Sequence, residues 1–351
     1  MTENYNPMGT DGFEFIEYTA EDTRALEKLF VSMGFSPIAK HRSKEVILYR
    51  QGGVNFVINH EPDSFAQAFA KVHGPSICAF GIRVKDAKQA YEHALANNAK
   101  PYIGEAGPME LNIPAIRGIG DSLLYLIDRY GDEKSIYEID FIPMEGADLN
   151  PKGVGLTYID HLTHNVHKGR MDEWADFYER IFNFKEIRYF DIKGKSTGLF
   201  SRAMTSPCGK IRIPINEPSD EKSQIQEYLD AYRGEGIQHI ALGTDNIYSS
   251  VETLKANSIR MLEVLDTYYD AVDERIPNHK EDLERLKENR ILIDGDLQSG
   301  QGLLLQIFTE TVIGPIFFEI IQRKGNDGFG EGNFQALFES IELDQQRRGV
   351  I

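Results

Sequence analysis

"CAFGIRVKDAKQAYEHALANNAK" (residues 78–100) and "IQHIALGTDNIYSSVETLKANSIR" (residues 237–260) lie against one another at a constant offset of 159. Each opens with an apolar run short enough for a buried strand, then passes an Asp into a stretch with helical spacing. The alignment sets Asp86 on Asp245. Both are expected N-caps, because a carboxylate there accepts from the unpaired N–H groups of the first helical turn. It also sets Phe80 in the place of His239.

Two more segments share the outline. "GFEFIEYTAEDTRALEKLFVSMGF" (12–35) puts Leu26, Leu29, Phe30 and Met33 on one helical face, with Gly34 placed to stop the helix. "TYIDHLTHNVHKGRMDEWADFYERIFNF" (157–184) does the same with Trp174, Phe177, Tyr178, Ile181 and Phe182. Alternating or wholly apolar runs follow the helices, among them "EVILYR", "VNFVIN", "IRIPIN" and "GLLLQIF". Each unit reads as βαβββ. The fold class is therefore α+β: four modules, two per half, curled into two open barrel-like domains with helices outside. The join falls in "PMEGADLNPKGVG" (143–155), dividing residues 1–150 from 151–351. An insertion in the last module, 271–294, is expected to hold a charged, solvated helix beginning near Pro277.

At 351 residues, 41% hydrophobic and 26% charged, the chain has the length for two domains and the composition of a globular protein. It has no apolar run of bilayer-crossing length, and its start lacks the basic and apolar regions of a signal peptide. Cys78 and Cys208 form no CxxC, so free thiols in a reducing cytoplasm are expected. A net charge of -17 argues against nucleic acid or an anionic membrane as partner.

One residue breaks the apolar pattern. In "GPIFFEIIQRKG" (314–325), Glu319 stands between Phe317, Phe318, Ile320 and Ile321. A carboxylate in a dry strand is costly unless a partner neutralises it. Arg323, four residues on along the same strand face, is one candidate partner, and a metal ion is the other. His161 and His239 each lie on the first strand of a module in the same half as Glu319. In an extended strand His161 and His167 share one side, and His164 faces the other. Two imidazoles and one carboxylate are too few for structural zinc, and catalytic zinc usually brings a helical His motif absent here. With open positions left over, this set is the arrangement of non-haem Fe(II) oxygenases.

The stretches "DHLTHNV", "IPINEP", "SQIQEYL", "GIQHIAL", "LLLQIFT", "FFEIIQRKG" and "GFGEGNFQALF" run in this order between residues 160 and 338. With them the chain resembles the 4-hydroxyphenylpyruvate dioxygenases of the vicinal oxygen chelate superfamily. The resemblance implies His161, His239 and Glu319 as ligands of one Fe(II) per subunit, with Arg323 in support. It implies a substrate pocket of Ser201, Pro214, Asn216, Gln224, Gln306, Phe308, Phe317, Phe329, Asn333 and Phe334. Catalytic positioning would fall to Asn216, Gln224 and Gln238. Neutral amides and a hydroxyl suit that task, since they bond a phenol and a keto acid without charging a dry site.

Asn333 also reads as the cap of a last helix, whose stripe Phe334, Leu337, Phe338 and Ile341 would dock over the site and exclude water. The glycines at 325, 328, 330 and 332 lack the GK[ST] of a phosphate loop. The implied reaction takes 4-hydroxyphenylpyruvate and O2 to homogentisate and CO2, in tyrosine and phenylalanine breakdown. The implied enzyme is a cytoplasmic homo-oligomer, dimer or tetramer, whose metal-free first half serves packing and assembly. Hydroxymandelate synthase is the nearest rival, disfavoured by Pro214 and Asn216. An extradiol ring-cleaving enzyme fits the C-terminal motif poorly. A metal-free binding protein of the same fold would be expected to have lost the three ligands.

Overall fold

The computed structural model describes residues 5–334 except 105, 108, 132–133 and 194–197, together with 345–346 and 349. The first module runs β1 (Phe13–Thr19), α1 (Arg24–Ser32), β2 (Ser36–His41), β3 (Val46–Gln51) and β4 (Val54–Asn59). A linking helix, α2 (Phe65–His73), leads into the second: β5 (Ser76–Arg83), α3 (Ala87–Ala96), β6 (Pro101–Tyr102), β7 (Ala115–Arg117) and β8 (Leu123–Ile127). Then α4 (Ile136–Asp140) and β9 (Phe141–Pro143) close the half. The third module is β10 (Leu156–Asn165), α5 (Met171–Phe182), β11 (Lys185–Lys193), β12 (Gly198–Thr205) and β13 (Arg212–Pro218), followed by a second linking helix, α6 (Gln224–Tyr232). The fourth begins with β14 (Gly236–Thr244) and α7 (Ile247–Ala256). Its insertion forms α8 (Asp266–Asp270), α9 (Val272–Arg275) and α10 (Leu283–Asn289). It ends with β15 (Leu292–Gly295), β16 (Leu303–Phe308) and β17 (Phe317–Lys324).

All four modules are thus βαβββ. Their strands form two sheets among the described residues, ordered β6-β7-β8-β5-β1-β4-β3-β2-β9 and β11-β12-β13-β10-β14-β17-β16-β15. In each half the first strands of the two modules pair antiparallel at the centre, β1 with β5 and β10 with β14. The linking helices were not legible as separate elements, though each starts at a serine whose hydroxyl accepts from the first turn: Ser64 from Gln67, Ser223 from Ile225.

In the structure the second and fourth modules match at an offset of 160, one residue more than the sequence alignment, in strand and helix alike. Asp86 caps α3, but α7 is capped by Asn246, whose side chain accepts from the Ser249 N–H, and not by Asp245. The strand register follows the same slip. Gly81 faces Phe15 and Ala79 faces Glu17, just as Ala241 faces His161 and His239 faces Thr163. The counterpart of His239 is therefore Ala79, not Phe80, which points away and packs on Phe13 and His164. The expected helix near Pro277 starts later, at Leu283, with Asp282 as its cap. Asn278 and Lys280 take positive φ and turn the chain just after the proline.

The halves share one apolar core. Phe56 of β4 stacks on Phe318 of β17 with centroids 5.9 Å apart, and helical stripes such as Leu26 and Phe30 or Tyr178, Ile181 and Phe182 are buried in it. Each such side chain contributes about 1.5–3 kcal/mol. No described helix is long and apolar enough to cross a membrane.

His164 belongs to this core. Its Nε2 bonds the Tyr178 hydroxyl at 2.7 Å, and burial pushes its pKa from 6.5 down to about 3. Between those values the unfolded chain binds a proton that the folded chain refuses, so stability falls as pH falls through that window. The expected loss is about 2 kcal/mol at pH 5. Urea unfolding at pH 7.5 and 5.0 should show this slope reduced by about that amount in His164→Phe. An unchanged slope would mean that other groups carry it.

Candidate metal centre

β10, β14 and β17 are neighbours, and their register sets the donors in adjoining rows. His161 lies across from Ala241, which lies across from Glu319; one row along, Thr163, His239 and Phe317 line up. Residues opposed or two apart share a face, so all three donors point into the same barrel. Ala241 between His161 and Glu319 carries only a methyl group, which leaves imidazole and carboxylate room to meet. His161 Nε2 lies 3.1 Å from Glu319 Oε2 and 3.3 Å from His239 Nε2, and His239 Nε2 lies 3.4 Å from the same oxygen. Neighbouring ligands at right angles around one ion, each ~2.1 Å from it, would be about 3 Å apart. The triangle therefore fits one face of a metal. All three residues are buried.

The electrostatics agree with that geometry. Against the cost of burial, Glu319 and Asp160 raise His161 to about 8, while Glu319, in spite of its own burial, is held at about 2 by His161 and His239. A positive charge is favoured between these groups.

Arg323 is not the partner of Glu319. Its Nε and Nη2 donate to Asp160 at 2.7 and 2.8 Å, and its Nη1 donates to the carbonyls of Asn326 and Gly328. Asp160 in turn accepts from His161 Nδ1 at 2.8 Å, which leaves Nε2 as the lone-pair nitrogen facing the other donors. On the far side, Gln306 Nε2 donates to Glu319 Oε1 at 3.0 Å, so Oε2 is the oxygen left for a metal. His239 Nδ1 lies 3.2 Å from Gln238 Oε1, an acceptor that sets the same tautomer there.

The donors sit in a cavity lined from both ends of the sheet: Phe190 and Ile192 of β11, Ser201 of β12, and Gln306 and Phe308 of β16 all face it. That shared lining makes the sheet a half-barrel. Of the residues expected around the site, Pro214, Asn216, Gln224, Gln238, Phe317, Phe329 and Phe334 also line it. Asn333 does not. Its amide donates to Gln306 Oε1 at 3.0 Å and accepts from the Tyr268 hydroxyl at 2.6 Å, so it braces Gln306 from behind. Gly330 packs against the Gln306 amide with φ +77, where a Cβ would collide with that side chain. Gly332 likewise leaves no room for a Cβ, which would collide with the Asp294 carboxylate.

His164 faces the core, as alternation implies. His167 does not share the side of His161, because β10 ends at Asn165 and His167 lies beyond it, exposed. The expected C-terminal stripe beyond Phe334, with Leu337, Phe338 and Ile341, lies outside the described residues. Asp160 and Thr163, whose hydroxyl is 3.0 Å from His239 Nε2, were not expected from the sequence. Strict alternation turns Asp160 away from the face of His161. A register shift between Ile159 and His161 brings it back.

Comparisons with known proteins agree with this architecture. The family described as hydroxyphenylpyruvate dioxygenase, N-terminal, matches residues 4–142, and the Glyoxalase/Bleomycin resistance protein/Dioxygenase superfamily matches 158–272. The chain is 63% identical over 356 residues to a Vibrio vulnificus protein named hemolysin VllY, covering 100% of this chain and 99% of that one. It is 61% identical over 352 residues to 4-hydroxyphenylpyruvate dioxygenase of Pseudomonas aeruginosa, covering 99% and 98%. A solved variant of 4-hydroxymandelate synthase from Streptomyces coelicolor shares the fold with a TM-score of 0.84 at 25% identity, over 96% of this chain and 100% of that chain. Identity at this level along the whole length, over a fold with two half-barrels, means that the chain belongs to the 4-hydroxyphenylpyruvate dioxygenase family.

Proposed function

We propose that this protein is an Fe(II)-dependent 4-hydroxyphenylpyruvate dioxygenase, releasing CO2 and forming homogentisate in tyrosine and phenylalanine breakdown. The carrying observation is the His161–His239–Glu319 triangle at right-angle ligand spacing inside an aromatic-walled cavity. Fe(II) held there would supply open positions for a chelating keto acid and for O2, and the oxidising power. The ligand set carries one negative charge, so a bound dication stays net positive and favours an anionic, chelating substrate. The other residues orient and dry the site. Phe308, Phe317, Phe329 and Phe334 wall the ring, while Ser201, Asn216, Gln224 and Gln238 offer neutral hydrogen-bonding groups to the phenol and keto acid. We take the enzyme to be a cytoplasmic homo-oligomer in which residues 1–150 contribute packing and assembly.

The test is anaerobic reconstitution with Fe(II), addition of 4-hydroxyphenylpyruvate and O2, and identification of products by mass and retention. Homogentisate with one CO2 supports the reading. Hydroxymandelate as main product would replace it with the synthase reading, and absence of turnover would remove both.

The choice of oxidised carbon rests on how the ring is held. Phe334 lines the cavity and meets Phe190 edge to face at 4.6 Å. Reaction geometry is sensitive to displacements on the order of 1 Å. Phe334→Leu is therefore expected to divert a measurable fraction of turnover to benzylic or uncoupled product, with iron content unchanged. An unchanged product ratio would take Phe334 out of the orienting role.

A further inference from the structure

The first half encloses a cavity of its own, the repeat counterpart of the one that holds the donors. With its mouth it spans about 890 Å³. It is not a second metal site. Across the strand register the places of His161, His239 and Glu319 are taken by Phe15, Ala79 and Tyr125, and the rings of Phe15 and Tyr125 meet at 5.8 Å. Among the described residues no other donor cluster has metal-ligand spacing.

The cavity nevertheless keeps a carboxylate in its wall. Glu17 of β1, in the place of Thr163, is 8% exposed and faces it. Its Oε1 accepts from Asn59 Nδ2 at 2.7 Å and meets Cys78 Sγ at 3.6 Å. No described residue donates to Oε2. Burial pushes this carboxyl above its ordinary range in spite of those bonds and of Lys44 nearby.

Lys44 is drawn to a different acid, pairing with Glu110 at 3.0 Å. Asp140, also in the wall, accepts from the Leu111 N–H. The lining thus sets Glu17, Glu110 and Asp140 against Lys44 and a His41 whose pKa burial lowers. Phe15, Tyr125, Tyr137 and Phe141 line the same cavity as Glu17.

From this geometry we propose that the cavity is a second binding site, for a small molecule with a protonated amine on an apolar or aromatic body. The ammonium sits against Glu17 Oε2 and the body lies among Phe15, Tyr125 and Tyr137. A cation supplies both the counter-charge and the donor that a buried carboxylate oxygen needs. Aromatic faces attract the same charge. An anion would meet a wall rich in carboxylates. A neutral alcohol could donate one bond to Oε2 but would leave the charge unbalanced.

The probe is 2-phenylethylammonium, titrated calorimetrically into the iron-loaded full-length protein, with 2-phenylethanol and 3-phenylpropionate as neutral and anionic matches. One ammonium should bind per chain, at least tenfold more tightly than either match. Glu17→Gln, which keeps the shape and a carbonyl for Asn59, should weaken it at least tenfold. Tyr125→Leu, which removes an aromatic face and leaves the carboxylate, should weaken it several-fold and carries the test if Glu17→Gln does not fold. Absence of ammonium binding, equal binding of the alcohol, or binding untouched in the folded variants would each overturn the proposal.

Discussion

Glu319→Gln is expected to strip the protein of iron while leaving it folded. The amide matches the carboxylate in size, but it removes the one anion among the three donors. It also removes one of the two charges that raise the His161 pKa. Losing one partner of a buried charge set costs about 3–5 kcal/mol, or roughly 10²–10⁴-fold in metal affinity. Iron retained after desalting, measured by elemental analysis, should fall from one per chain to a small fraction, with product formation falling alongside. Folding should survive, because a buried carboxylate without a metal is itself a burden on the folded state. The controls are His164→Phe and His167→Ala, which should keep iron: His164 bonds Tyr178 in the core, and His167 is exposed. Equal iron loss in either control would mean that the donors have been wrongly assigned.

The second large effect is expected at a residue that touches no metal. Asp160 is 1% exposed and joins Arg323 to His161 through bonds of 2.7–2.8 Å, with Arg212 3.8 Å away. Asp160→Asn keeps the shape but leaves the Arg323 guanidinium half-paired in a buried place. It also removes the anion that orients the His161 ring. Stability should fall by about 3–5 kcal/mol. Metal affinity should weaken about 10–100-fold, the usual effect of losing such a supporting bond. Urea unfolding of the metal-free protein reads the first effect, and competition with a chelating dye reads the second. Were stability to fall with affinity unchanged, Asp160 would be a structural anchor only.

The fold was legible because its signals are local. The apolar stripes of α1 and α5 and the repeated strand–helix outline each follow from short-range patterning. Glu319 was legible for the opposite reason, as a charge where the pattern allows none. The residues that support the site were harder to read. Pairing Asp160 with Arg323 requires a register shift in β10 and a contact across 163 residues, and alternation predicts neither. Asn333, expected at the substrate, is turned by packing onto Gln306, while the helix it would cap lies outside the described residues. The one-residue slip between the halves misplaced Phe80 and Asp245 for a similar reason. Matching by strand and helix type alone leaves the register of one module on the other open by a residue.

The most direct test of the metal centre is the anomalous signal at the iron absorption edge, from crystals of anaerobically loaded protein. One peak per chain is expected within about 2.0–2.2 Å of His161 Nε2, His239 Nε2 and Glu319 Oε2. Iron bound elsewhere, or a peak missing any one of these three ligands, would contradict the assignment.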